Sequence, residues 1–349
     1  MHRTKTMRAI YVEEPYKIGY RNIEIPEIKP DDILIKTSYT GICASDLHVY
    51  RGKHAFRIPP VMLGHEISGI VEQIGKNVKR FKPGDHVTVM PQISCGNCPA
   101  CKSGMANICS SKILPGTVNW NGTFADYFVA PESVTFNLKD IPLDLGCIFE
   151  PIAVANHVVE RFPSNHTDEL IILGSGAIAL MTLVIAQKMG FKKIMTTDID
   201  DRNLKLAREL GATATVNVSK EDVVLKSKEY FGSNGAQNLI IGAGTNNILK
   251  QAIDIVKPSG TIVYYAMITS EMTLNTYPIV FKELDVRGSL NYTHDDFIKS
   301  INILSHNGEL FRKLITKCFD FDEAKEAFEI LDKRKEFIVK SILKVNDDI

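Results

Sequence analysis

The sequence predicts an α/β chain in which a doubly wound parallel sheet is joined to a second domain of short strands. Three observations carry this expectation. Residues 1–155 hold closely spaced strand-like runs punctuated by Gly and Pro, and from about residue 170 apolar runs alternate with segments of helical period. Between the two patterns stands Leu170-Ile-Ile-Leu-Gly174-Ser-Gly176-Ala-Ile-Ala179-Leu, a strand, a glycine turn and a helix start in one stretch. At roughly 150 residues per domain, 349 residues predict two domains with ample core.

In the first region, Ala9 to Val12, Ile33-Leu-Ile-Lys36, Ile67 to Ile74 and His86-Val-Thr-Val89 read as strands, the second and fourth following Asp31-Asp32 and Lys82-Pro-Gly-Asp85 turns. In the second, Leu170–Leu173, Lys193–Thr197, Ala214–Val218, Asn238–Ile241 and Thr261–Tyr265 read as strands, with helices over Arg202–Leu210 and Asn247–Lys257 between them. After Asn291 come two helix-like stretches, Asp295–Ser305 and Phe321–Asp332, and a last apolar run, Phe337–Leu343. Period alone leaves open whether these extend the second domain or return to the first.

Forty-one basic and 41 acidic residues leave no electrostatic surplus for nucleic acid or an anionic membrane. The start, residues 1–7, is basic but lacks the apolar core of a secretory signal. The long apolar stretch Leu170–Ala186 is split by its glycines into a strand and a helix, so a membrane span is not expected. Seven cysteines in such a chain suit the reducing cytoplasm, where clustered thiols are metal ligands more often than disulfides.

The strongest chemical signal is Cys95-Gly-Asn-Cys98-Pro-Ala-Cys101, with Cys109 closing four thiols within fifteen residues. Four thiolates fill a tetrahedral zinc shell, so this ion is expected to be structural; an iron–sulfur cluster suits the pattern less well. A second constellation is dispersed: Gly41-Ile-Cys43-Ala-Ser45-Asp46-Leu-His48, Gly64-His65-Glu66 and Glu150-Pro. One thiolate, one imidazole and a carboxylate leave a zinc position open to substrate. His65 and Glu66 are adjacent and in a regular strand would face opposite ways. Either the backbone bends there or Glu150 completes the shell. On spacing alone, a buried structural histidine and a small core cysteine account for His65 and Cys43 at least as well.

The third signal is Gly174 and Gly176 at a strand-to-helix turn, with Ala179 as the third small residue and Asp198 ending the next apolar run. Such glycines admit a pyrophosphate at the helix N-terminus, and the carboxylate accepts ribose hydroxyls and repels a 2′-phosphate, which favours NAD over NADP. Arg202 is the contrary feature; an exposed helix-start arginine is its simpler reading. Gly242-Ala-Gly244 also follows an apolar run but has no downstream acid, and reads as a loop.

Taken together, these residues resemble the zinc-dependent medium-chain dehydrogenases, in the sorbitol (polyol) and threonine dehydrogenase branch, over nearly the whole chain from Met7; residues 1–6 look like an extension. The resemblance implies a GroES-like β-barrel catalytic domain, residues 1–155 with 292–349 returning to it, and a Rossmann NAD-binding domain, residues 156–291. It implies two zinc ions per chain: one catalytic, on Cys43, His65 and Glu66 or Glu150, and one structural, on Cys95, Cys98, Cys101 and Cys109. Ser45 matches the hydroxyl that takes the alcohol proton, His48 the histidine that passes it to solvent, and Asp46 the partner behind the metal shell. Ile178, Asp198 and Asn203 match cofactor-contacting positions, Asn203 replacing a usual arginine. Asn291-Tyr292 stands where sorbitol-type members carry an Arg-Tyr pair. The segments His54–Arg57 and Val118–Asn121 are expected at the pocket, with Trp120 equally readable as packing.

The function so implied is oxidation of a secondary alcohol, a polyol or related vicinal hydroxyl compound, with hydride passing to NAD. The alternatives are a threonine-type amino alcohol or a sugar phosphate, for which Arg51, Lys53 and Arg57 are candidate phosphate ligands. From another class come a zinc-free NADPH reductase and a non-catalytic nucleotide-binding protein. The resemblance further implies a homodimer or homotetramer, joined at the sheet edge near Thr261 to Ile268.

Overall fold

The computed structural model describes residues 6–117, 119–164, 168–245, 247–268 and 271–346. Residues 1–5 of the expected extension, and Val118 of the expected pocket segment, lie outside the described residues; Thr6 already opens the first strand, Thr6–Glu14. The chain divides into two compact units, one of residues 1–150 with 300–349, the other of residues 151–299.

The first unit is built around a mixed sheet in the order Ile315–Asp320, Lys340–Lys344, Asp32–Ile42, Glu66–Ile74, His86–Val89 and Thr135–Asn137, with Tyr127–Pro131 also paired to Asp32–Ile42. The central strand, Asp32–Ile42, alternates little; nearly all of it is buried because it is paired on both edges and covered on both faces. The register places Gly41 opposite Glu66 on one side and Ile342 on the other. The final apolar run therefore returns to this unit and lies against the strand that leads into Cys43. Behind the sheet, Ile10, Val12, Leu63, Phe124, Phe328 and Leu343 share one core.

The second unit is a six-stranded parallel sheet in the order Ala214–Asn217, Lys193–Asp198, Glu169–Leu173, Ala236–Ile241, Val256–Tyr264 and Asp285–Gly288. The order reverses between Glu169–Leu173 and Ala236–Ile241, which makes a topological switch point beside the strand that leads into the glycines. The Leu170–Ala186 run resolves into the strand Glu169–Leu173 and the helix Ala177–Lys188, whose residues 179–186 are all buried. Two expectations need correction. The helix over Asn247–Lys257 ends at Ile255, because the chain turns directly into a strand at Val256. Thr261 to Tyr264 is not a sheet edge: it pairs with strands on both sides, and Asp285–Gly288 takes the outer position. Among the described residues no helix is long and apolar enough to cross a membrane.

Candidate active site

Cys43 directly follows the central strand and stands at the N-cap of the short helix Ala44–Tyr50. Its backbone N–H donates to Asp46 Oδ2 at 2.9 Å, so the helix start and the ligand position are tied by one carboxylate. His65 and Glu66 arrive on the neighbouring strand. The bend that their adjacency requires is present: Gly64 has φ of +92°, His65 precedes the strand, and Glu66 begins it. At Gly64 a side chain would strike Thr123 Oγ1 at 2.4 Å as well as strain the backbone. Gly41 is needed for a different reason, since a Cβ there would lie 1.9 Å from Glu66 Oε2.

The result is that one donor atom each from Cys43, His65 and Glu66 lies within 4.8 Å of the other two. Glu150, at the start of the helix Phe149–Glu160, is close enough to feel these charges but is not in that converging set. Burial raises its carboxyl to about 8, with Glu66 and Cys43 adding to the rise and His65 and Lys340 opposing it. Burial likewise pushes the Cys43 thiol up, reinforced by Glu66. Three acidic groups are thus crowded around one cation, Lys340, whose Nζ lies 2.6 Å from Glu66 Oε1. Burial works against that ammonium, but Glu66 and Cys43 hold its pKa above the ordinary value.

The donor set fits a divalent soft-to-borderline cation. His65 Nδ1 and Asp46 Oδ1 are buried without a hydrogen-bond partner, an expensive state that a bound ion would relieve for His65, while Glu66 Oε2 has the Lys340 ammonium 2.5 Å away. Asp46 Oδ1 stands 3.8 Å from His65 Nδ1, beyond hydrogen-bond range but aimed at the ring. Thiolate, imidazole and carboxylate together suit zinc with an open position.

Ser45 is half-buried in the first turn of the helix Ala44–Tyr50, two residues from Cys43. His48 is on the exposed side of the same helix, and partial burial, then Arg51 and Lys53, hold its pKa below the ordinary histidine value. His54 feels Asp46, His48 and His65, and its Nδ1 accepts from the Arg57 backbone at 3.2 Å, so the His54 segment reaches the same neighbourhood. Trp120 is packing: 9% exposed, it stacks on Phe128 and donates Nε1–H to Val129 O at 2.8 Å. Of the three candidate phosphate cations, Arg51 is neutralised by an ion pair with Asp332 at 2.6 Å, while buried Arg57 donates to Pro115 O at 2.8 Å and leaves its Nε without a partner. Tyr292 is 1% exposed and packs on Phe297.

The second cluster lies in the loop and short helix Pro99–Lys102. Cys98 to Cys101, Cys95 to Cys109 and Cys95 to Cys101 sulfurs lie 3.4, 3.5 and 3.8 Å apart. A tetrahedron with zinc–sulfur bonds of about 2.3 Å has edges of about 3.8 Å, whereas a disulfide needs about 2.05 Å. Backbone N–H groups of Asn97 and Cys98 hold the Cys95 thiol down to about 6, while desolvation and the Cys98 sulfur push Cys101 up to about 11. Four thiols this close share protons, and a dication would displace them all.

In the second unit, Gly174 has φ of +108° and Gly176 caps the helix Ala177–Lys188; a Cβ added at Gly176 meets nothing within 4 Å. That open N-terminus fits a pyrophosphate. Ala179 is buried in the helix–sheet contact, while Ile178 is half-buried. Asp198 is held from four sides: Ile199 and Asp200 N–H donate to Oδ1, Ser175 N–H and Asn203 Nδ2 to Oδ2. Asn203 thus orients the carboxylate. Arg202 is clamped along Asp200 at 2.7 Å. Gly242 to Gly244 is a loop, in which a Cβ at Gly242 would meet Tyr265 Oη at 2.4 Å.

Sequence reading missed Lys340, Gly41 and Ser175. A lone lysine inside Phe337–Leu343 was the available signal for the first. Ser175, fully buried, bonds Thr196 Oγ1 and Thr197 O and fixes the glycine turn to the adjacent strand.

Residues 29–140 match the alcohol dehydrogenase GroES-like domain, and residues 177–306 the zinc-binding dehydrogenase domain. A D-xylulose reductase A of Aspergillus niger is 32% identical over 331 residues, covering 92% of each chain. Among solved structures, the 2R,3R-butanediol dehydrogenase of Bacillus subtilis superposes with a TM-score of 0.88 at 28% identity, over 97% of this chain and 100% of that one. The galactitol-1-phosphate dehydrogenase of Escherichia coli does so with a TM-score of 0.89 at 26% identity, over the same shares.

Proposed function

The chain belongs to the family of zinc-binding alcohol dehydrogenases, and on that premise we propose that it oxidises a polyol or related vicinal hydroxyl compound, passing hydride to NAD. The observation that carries the site assignment is the convergence of Cys43, His65 and Glu66 donors within 4.8 Å, with His65 Nδ1 buried and without a hydrogen-bond partner. These three residues would hold the catalytic zinc, and Cys95, Cys98, Cys101 and Cys109 the structural one. When bound, the catalytic ion supplies Lewis acidity that makes a substrate hydroxyl easier to deprotonate.

The chain's own residues supply the rest. Ser45, two residues from Cys43 in the first turn of the helix Ala44–Tyr50, accepts the hydroxyl proton as it releases its own toward His48. His48, exposed on the same helix, takes the proton onward to water. Asp46 steadies the helix start and faces the ring of His65. Gly174 and Gly176 admit the cofactor pyrophosphate, Ile178 and Ala179 shape the helix start beside it, and Asp198 takes the ribose hydroxyls, with Asn203 holding it in place. Asp198 and the Asp200 clamp on Arg202 both favour NAD over NADP, because neither leaves a cation for a 2′-phosphate.

A polyol is supported over a sugar phosphate by the ion pair that engages Arg51 with Asp332. The relatives named for xylulose and butanediol support the same substrate class. We place the enzyme in the cytoplasm, in line with its seven free thiols, as a homodimer or homotetramer. The test is a panel of polyols, amino alcohols and sugar phosphates assayed at high pH with both coenzymes, alongside zinc analysis. NADH formation from polyols with two zinc ions per chain is expected. Turnover of phosphorylated substrates alone, or strict use of NADP, would replace the substrate or coenzyme assignment.

A further inference from the structure

Lys340 is 4% exposed and Glu66 1%, a fully buried ion pair whose members are 274 residues apart. The ammonium straddles the carboxylate, 2.6 Å from Oε1 and 2.5 Å from Oε2, with hydrogen-bond geometry met only at Oε1. It also donates to Ile42 O at 2.9 Å. One cation therefore grips the side chain of Glu66 and the backbone immediately before Cys43. Its position is set by strand pairing, since Ser341 lies opposite Ile42 and Ile342 opposite Gly41. Gly41, in turn, leaves the space that the carboxylate fills.

We propose that Lys340 is a positioning residue for the metal centre: it pins Glu66 beside Cys43 and His65, so that Glu66 and not Glu150 completes the ligand set. The assignment rests on the catalytic zinc site proposed above. Glu66 is the carboxylate already converging with the other two donors, and it is the one carrying a permanent buried counter-ion. Without that cation, the buried carboxylate loses the contact that fixes its rotation, and the ligand set becomes a contest with Glu150. Groups that orient a ligand typically change metal affinity by roughly 10- to 100-fold when removed.

The test uses the full-length zinc enzyme, and the same protein with cobalt exchanged into the catalytic centre. In Lys340→Met, one of the two ions is expected to pass to a colorimetric chelator about tenfold faster or more, while the other leaves at the wild-type rate, and the cobalt ligand-field bands shift. In a Glu66→Gln background the same lysine change is expected to alter release less than about threefold, because the two residues act as a unit. Unchanged release and spectrum in folded Lys340→Met, or an equal acceleration in both backgrounds, overturns the proposal. If Lys340→Met does not fold, Lys340→Arg takes its place: faster release of one ion and shifted cobalt bands, both lost in the Glu66→Gln background, support the pinning role, and wild-type release and spectrum refute it. A wild-type chain holding one ion instead overturns the underlying metal assignment, which separates the two failures.

Discussion

The two thiol-bearing clusters of the first unit are built in opposite ways. Cys95 to Cys109 gather four like donors from fifteen consecutive residues, from exposed Cys95 to buried Cys109, and backbone N–H groups lower one of the thiols. The other cluster draws Cys43, His65, Glu66 and Lys340 from the ends of three strands and buries them around a single cation. Local spacing suffices for the first, because a short loop can close on an ion by itself. The second depends on register: a slip of one residue would turn Glu66 to the opposite face of its strand. A closed shell of like ligands stabilises; an open shell of mixed ligands, with polar atoms left unsatisfied, is arranged for chemistry.

The sharpest way to break this contrast is to remove one thiol from each cluster. Cys43→Ala is expected to lower kcat/KM by roughly a thousandfold or more, since Lewis acidity is worth several kcal/mol, while NADH binding by fluorescence titration stays within about threefold. Cys109→Ser is expected to do the reverse, lowering the thermal midpoint and the zinc content by one ion while kcat/KM of the remaining folded enzyme changes less than about threefold. If the two variants behave alike, the division into chemical and structural sites fails.

A subtler probe carries no donor atom at all. Gly41→Ala places a methyl 1.9 Å from Glu66 Oε2, so either strand or carboxylate must move. Overpacking of this kind costs about 1–3 kcal/mol. Zinc analysis is expected to show selective loss of the ion at the dispersed cluster, and retention of both ions would show that Glu66 is not a ligand.

The smallest effect is expected at a site in neither cluster, and it separates metal loss from general instability. Thr293 and Asp296 form the N-terminal cap of the helix His294–Arg312, and Asp296 also accepts from His157 Nδ1 at 2.8 Å. Burial alone would raise this carboxyl; hydrogen bonds from His157 and Thr293 outweigh it and hold it below the ordinary value. A depressed folded pKa stabilises above the unfolded value of about 3.9 and is lost as pH falls through the folded one. Asp296→Asn is therefore expected to cost about 1–2 kcal/mol at neutral pH, read by denaturant titration, with the gap to wild type narrowing below about pH 4 and both zinc ions retained.

Much of this was legible in the chain. The alternation after residue 170, the glycines at 174 and 176 and Asp198 led to a parallel sheet with its nucleotide turn, because these are local periodicities and local dihedral demands. The free-standing Trp120 was not legible: a lone aromatic carries no period, and only the observed stack on Phe128 makes it core. Nor was the outer strand Asp285–Gly288, four residues of mixed polarity with two of them exposed, which displaced Thr261 to Tyr264 from the edge. Periodicity left the destination of residues 300–349 open, and their return to the first domain was implied by family resemblance alone, because the pairing of Ile342 with Gly41 leaves no short-range mark.

By itself the amino-acid order determined which chemistries were at hand: four thiols that can close on zinc, a glycine turn with a carboxylate downstream, and a thiol, an imidazole and two acids in search of a common ion. Only the tertiary structure decided which of those acids converges, that a lysine near the C-terminus stands against it, and that Gly41 makes room for both. The physical reason is range. Backbone dihedrals and metal-ligand spacing act over a few residues, whereas the burial of unlike charges together is a property of strands brought side by side.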